Sequence, residues 1–236
     1  MEALVRYDLA EWIATITMDD GKANVMSVRM MQELNAALDR AQADQAVVVL
    51  SGRDGMFSGG FDLGVFKRGP EELFRMLEAG ALLTERLLSF PLPVVAACTG
   101  HAVAMGAFLL LSADVRIGVD QGVRIQVNEV QIGLTVPRFA IEVCRQRLSP
   151  AHLNCAAVTA EPYSPQQAVS AGFLDAIVPA ESIAAAARSR AAGLLKLHAE
   201  SLTATKLQVR RNALEALRDA IREDLADWTT RVRNQA

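Results

Sequence analysis

The chain has 236 residues, 51% of them apolar, with 24 basic and 27 acidic side chains and a formal net charge of −3. That length and apolar content can bury a substantial core, as one large domain or one domain with a helical appendage, and they argue against disorder. The slight acidity removes any electrostatic case for nucleic acid or an anionic membrane surface as partner.

Met1 to Thr17 carries charges at Glu2, Arg6, Asp8 and Glu11, with neither a basic start nor a long apolar run, so it does not read as a signal peptide. Within it, the alternation around Trp12-Ile13-Ala14-Thr15-Ile16 predicts a strand pair. Ser27, a good N-cap, precedes a helical pattern over roughly Arg29 to Gln42, with Met30, Met31, Leu34 and Leu38 on one face. Val47-Val48-Val49-Leu50 reads as a buried strand of a parallel sheet. Pro70 opens a second helix to about Ser89, with Leu73, Leu77 and Leu82 expected inward. Val94 to Ala97 is another buried strand, Gly106 to Ala113 a short apolar helix, and Val115–Ile117 and Val123–Ile125 further short strands. The apolar stretch from Ala102 to Leu111 is too short to span a bilayer.

From Arg138 onward helices dominate. They are predicted over Arg138–Arg147, Pro150–Val158, Pro165–Ala171, Glu181–Leu195 and, as one long helix, Ala199 to about Arg231. A last strand is predicted over Leu174–Val178. Cys98, Cys144 and Cys155 lack CxxC spacing and read as small buried residues, which fits a reducing, cytoplasmic setting. His101, His152 and His198 make no plausible metal cluster, and no Walker-type or GxGxxG motif supports nucleotide hydrolysis or hydride transfer.

Two segments carry the chemistry: Met56-Phe57-Ser58-Gly59-Gly60-Phe61-Asp62-Leu63, and Pro93 to Ala97 continuing through Gly100-His101-Ala102-Val103-Ala104-Met105-Gly106. Each is a strand-like run that breaks at small residues and turns into a helix-like run. Two such turns can aim two backbone N–H groups at one developing negative charge. These segments, with Asn24-Val25-Met26-Ser27, Asn128 to Pro137 and Ser164 to Asp175, resemble in order the blocks of the crotonase, or enoyl-CoA hydratase/isomerase, superfamily. The resemblance covers essentially the whole chain.

It implies an α/β fold: a ββα spiral core over residues 1–190 and a C-terminal helical region over 191–236 that makes a homotrimer or homohexamer. The implied substrate is an acyl-CoA thioester, with no separate cofactor and no metal. By resemblance the oxyanion donors are the N–H groups of Phe61 and Met105, with the Met105 side chain narrowing the acyl channel. Glu129 falls where the family places its catalytic glutamate, and an apolar setting would raise its pKa toward working pH. CoA is expected along Lys22, Ala23, Asn24, Gly59, Gly60, Asp62 and Gly106, with Lys206 near a CoA phosphate. Asp62 reads as a helix N-cap or an organiser of the CoA loop, His101 as structural, and Asp114 as an acceptor for backbone donors.

Family hydratases use a second glutamate to handle water, and its position here is Phe108. A phenyl ring cannot orient or deprotonate water. One carboxylate in a dry pocket suits a proton shuttle from C2 to C4, the 3,2-enoyl-CoA isomerase reaction. Gly100-His101-Ala102, Asn128 to Gly133 and Pro137-Arg138-Phe139-Ala140-Ile141 are also isomerase-like. The alternatives are an enoyl-CoA hydratase and a catalytically idle acyl-CoA-binding oligomer.

Overall fold

The computed structural model describes residues 2–235. Strands β1 (Val5–Ala10) and β2 (Ile13–Met18) form the expected antiparallel pair. Glu11 and Trp12, at φ 53° and 60°, make the two-residue turn between them. After β3 (Val25–Met26), the Ser27 hydroxyl caps α1 (Val28–Ala43) by accepting the Met30 N–H at 3.1 Å.

A long strand, a short strand and a helix then recur. The first set is β4 (Val47–Ser51), β5 (Gly55–Ser58) with β6 (Gly60–Phe61), and α2 (Pro70–Ser89). The second is β7 (Val94–Cys98), β8 (Gly100–Val103) and α3 (Met105–Ser112), and the third β9 (Val115–Val119), β10 (Ile125–Gln126) and α4 (Arg138–Arg145). Two short helices follow, α5 (Pro150–Ala157) and α6 (Pro165–Ala171), then β11 (Ala176–Val178), α7 (Ile183–Leu194), α8 (Ala199–Val209) and α9 (Arg211–Gln235).

The long strands form one sheet in the order β1-β2-β4-β7-β9-β11, parallel beyond β2. The short strands form a second, parallel sheet in the order β10-β8-β5, and β3 pairs with β6. This is the mixed α/β spiral the resemblance implied. The long strands are apolar throughout because both faces are covered. Val48, Leu50, Val94 and Ala96 enter the main core, while Val47, Val49, Val95 and Ala97 meet Ile183, Ala187 and Ala191 of α7.

Several boundaries differ from expectation. Leu82 is 47% exposed; the inward face of α2 runs through Met76, Gly80, Leu83 and Leu87, and a step of about 100° per residue turns Leu82 out beside Leu83. The strands at Val123 and Leu174 start later, at Ile125 and Ala176. The division expected at 190/191 falls inside α7, which lies on the main sheet through both Ala187 and Ala191.

The long C-terminal helix is two helices, joined at Arg210 (φ −92°, ψ 1°). The break has an electrostatic anchor. Asp114 accepts the Val94 N–H at 2.7 Å and holds buried Lys206 at 2.8 Å and Arg210 at 2.9 Å. Arg210 also donates to the Leu88 carbonyl, and beyond it Leu214, Leu217, Ile221 and Trp228 join the main core. Removing the Asp114 charge strands two buried cations, so Asp114→Asn is expected to lose about 3 kcal/mol of unfolding free energy. Urea titration against the parent protein measures this, and a loss below about 1 kcal/mol would contradict the anchor.

Candidate active site

The small parallel sheet brings the three predicted chemical residues to one end. Ser58, Ala102 and Ile125 lie side by side across β5, β8 and β10. Phe61 and Met105 each come three residues past that line, and Glu129 four. Ligands in open α/β sheets collect at the carboxyl ends of parallel strands, and these residues occupy that end.

The first two turns touch. Gly60 has φ +95°, and a Cβ there would stand 2.8 Å from Ala104 Cβ, 2.9 Å from the Val103 carbonyl and 3.5 Å from Met105 N. A Cβ on Gly106 would meet the Ser58 carbonyl oxygen at 2.4 Å. Only glycine allows the backbones to close in this way. Ala104 takes φ 50° and ψ −121°, a strained conformation for a residue with a side chain, and it opens α3 at Met105. The Met105 N–H is therefore a first-turn amide, without a partner inside its helix and at the positive end of the helix dipole. The Ala104 N–H donates to the Gln126 carbonyl at 2.9 Å, tying this turn to the strand that leads to Glu129.

Glu129 is 6% exposed, and one of its carboxylate oxygens is buried without a partner. Burial pushes its pKa up to about 7, against a small opposing effect of a backbone hydrogen bond. A single turn, Val130–Ile132, follows it and closes at Gly133 with φ +81°. Cys144 of α4 lies close enough for the Glu129 charge to add to burial in raising its thiol pKa, so the thiol stays protonated. Phe108 of α3 and Phe139 of α4 are fully buried and meet edge to face, with ring centres 6.1 Å apart. The other fully buried carboxylate among the described residues, Asp224, is already used: it accepts the Arg138 and Phe139 N–H groups and pairs with the Arg138 guanidinium.

The predicted CoA-facing loops do meet, since Gly59 N–H donates to the Ala23 carbonyl at 2.7 Å. Two of the expected residues are committed elsewhere. Asn24 (φ 49°) is fully buried, its amide donating to the Met18, Met56 and Phe57 carbonyls and its own carbonyl accepting from Ser58. Its polar groups lace loop to strand and face no open channel. Lys206 is a correction of the same kind: its ammonium donates to Asp114 and to the Leu92 carbonyl and is 8% exposed, so it is a buried anchor and not a phosphate contact. Lys22 is exposed, with its backbone bonded to Asp20 and Arg53. Asp62 caps the turn Leu63–Lys67 by accepting the Gly64 N–H at 2.9 Å, the first of its two readings, and His101 Nδ1 accepts the Arg124 N–H.

Cys144 is buried, as the sequence suggested, though nothing in the local pattern places it near Glu129, and sequence reasoning missed Gly80. Gly80 had a signal, a glycine inside a helical run, which usually has a packing reason. Among the described residues there is no grouping of three or more His, Cys, Asp or Glu that could hold a metal, and no helix is long and apolar enough to cross a membrane.

Residues 8–233 match the enoyl-CoA hydratase/isomerase family profile. Among curated proteins, a probable enoyl-CoA hydratase of Bacillus subtilis is 30% identical over 173 residues, 70% of this chain and 65% of that protein. The match therefore spans about two thirds of that relative's length. Among solved structures, an enoyl-CoA hydratase/isomerase family protein of Pseudomonas syringae superposes with a TM-score of 0.93 at 43% identity, covering 94% of this chain and 97% of that one. A Mycobacterium tuberculosis protein, named an enoyl-CoA isomerase in one structure and a probable enoyl-CoA hydratase in another, gives 0.92 at 41% identity in the first, covering 96% of this chain and 99% of that one.

The raised pKa of Glu129 makes its ionisation a cost to the fold. Because the folded value is near 7 and the ordinary value 4.5, the native state is favoured by the protonated form below pH 4.5. That advantage is lost as pH rises through 7. Glu129→Gln should therefore match the parent in stability at pH 4 and exceed it at pH 8, by on the order of 3 kcal/mol. Equal stability of the two proteins at pH 8 in denaturant titrations would refute the burial argument.

Proposed function

We propose that this chain, which belongs to the enoyl-CoA hydratase/isomerase family, is an acyl-CoA double-bond isomerase that converts 3-enoyl-CoA to trans-2-enoyl-CoA. The observation that carries the reading is a buried carboxyl with an unpartnered oxygen, Glu129, with its pKa near 7, together with a buried phenyl ring at Phe108, where by resemblance a water-handling acid would stand.

In this reading the thioester oxygen accepts hydrogen bonds from the Phe61 and Met105 N–H groups. The Glu129 carboxylate takes a proton from C2, and the C–H electrons enter a dienolate whose negative charge rests on the oxygen between the two amides. The protonated Glu129 then returns its proton at C4, the electrons shift to form the C2–C3 double bond, and the carbonyl is restored. Atoms and charge balance without water or a co-reactant. A pKa near 7 suits both halves, because the group must be ionised to start and acidic enough to give the proton back. An oxyanion donor is worth about 3 to 4 kcal/mol in such a site, and general base catalysis about 10²- to 10⁴-fold.

Hydration is the second reading, since it shares the enolate, and relatives carry the hydratase name. It needs a group to orient and deprotonate water. The only other fully buried carboxylate among the described residues, Asp224, is tied to Arg138 and Phe139. We extend the reading to a homotrimer or homohexamer, supported by the exposed apolar Leu197, Leu207 and Val209 along α8 and its approach.

The test pairs two assays. Glu129→Gln should lower isomerisation of a 3-enoyl-CoA by about 10³-fold or more while KM changes only a few-fold. In ¹⁸O-labelled water, the parent protein should leave a 2-enoyl-CoA essentially unlabelled. Robust formation of labelled 3-hydroxyacyl-CoA would overturn the isomerase assignment, and undiminished turnover by Glu129→Gln would overturn the role of the carboxyl.

A further inference from the structure

We infer that Gly80 of α2 is the positioning residue for the oxyanion site, the shared seat that sets the orientation of both Phe61 and Met105. The inference rests on the proposed donor role of those two amides. A Cβ added at Gly80 would lie 2.6 Å from Phe61 Cε1 and Cζ and 3.3 Å from Met105 Cε. The two side chains attached to the two candidate donors thus converge on one missing side chain.

Gly80 is buried in the interior of a 20-residue helix, where glycine costs roughly 1 kcal/mol relative to alanine. The cost goes with a niche that holds the edge of the Phe61 ring. The ring cannot yield cheaply. Met105 Cε closes the same niche, and the Phe61 backbone is held by its pairing with Met26 and by the turn at Gly60 packed on Ala104. A methyl at position 80 therefore displaces the Phe61 ring, and in this inference the strain reaches the Phe61 amide and, through the touching turns, Met105.

A bound conjugated 2-enoyl-CoA reports the donors directly, because hydrogen bonding lowers the infrared stretching frequency of its ¹³C-labelled thioester carbonyl whether or not turnover follows. The parent protein should lower that frequency on binding. Gly80→Ala should lose a large part of the shift and about tenfold in kcat, with KM little changed, while crowding against Phe61 offsets the helix-propensity gain of alanine and keeps thermal stability from rising. Adding Phe61→Ala, which keeps the backbone N–H but empties the niche, should bring shift and kcat to within about threefold of Phe61→Ala alone. A full carbonyl shift in Gly80→Ala would overturn this inference alone, as would a loss that Phe61→Ala fails to relieve or one seen only in KM. Absence of any shift in the parent protein would instead remove the oxyanion reading, and this inference with it.

Discussion

The contact between the turn at Gly60 and the turn at Ala104 is the constraint on which the site depends. Two chain segments far apart in sequence bring their backbones so close that a Cβ on Gly60 would collide with the Val103 carbonyl and Ala104. Gly106, packed on the Ser58 carbonyl, locks the same junction from the helix side. The left-handed backbone of Ala104 is the strain that goes with starting α3 at this point. It is tolerated because the hydrogen bond to the Gln126 carbonyl on one side and close packing on the other hold the turn in place. Such over-determination suits amides that must hold their direction while charge grows in front of them.

The site sets stability against chemistry in a second way. A carboxyl with an unpartnered oxygen in the interior destabilises the ionised fold, yet the same desolvation lifts its pKa toward neutrality. Phe108 and Phe139 meet edge to face in the apolar core, and the Asp224 carboxylate is committed to capping α4. Elsewhere the protein treats buried charge differently. Asp114 pairs with both Lys206 and Arg210 and fixes the joint from which α9 turns back over α2 and α4. The carboxyl proposed to carry the chemistry keeps an unpartnered oxygen, and the structural ones are paired.

Much of this was legible in the residues. The four-residue run Val47 to Leu50 reads as a strand covered on both faces, Ser27 and Pro70 mark helix starts, and Ser58 to Asp62 and Ala104 to Gly106 read as small-residue turns. Glu129 stands out only through its motif, since a lone glutamate on a loop carries no such message. The misjudged residues share a cause. Lys206, Asn24 and Leu82 each have side chains whose local pattern allows either an exposed or a buried position, and partners distant in sequence decide between them. Asp114 captures Lys206 from 92 positions away, and the Phe57 carbonyl captures Asn24 from 33.

The chain by itself determined the elements, their order and the chemical types available at the strand ends, because periodicity, caps and glycine turns act over a few residues. The tertiary structure decided which of those residues share a site. It aligned Ser58, Ala102 and Ile125 in register, desolvated Glu129, split the last helix at Arg210, and set Phe61 and Met105 on Gly80. Register, burial and close approach are relations between segments far apart in sequence, and no window along the chain contains both partners.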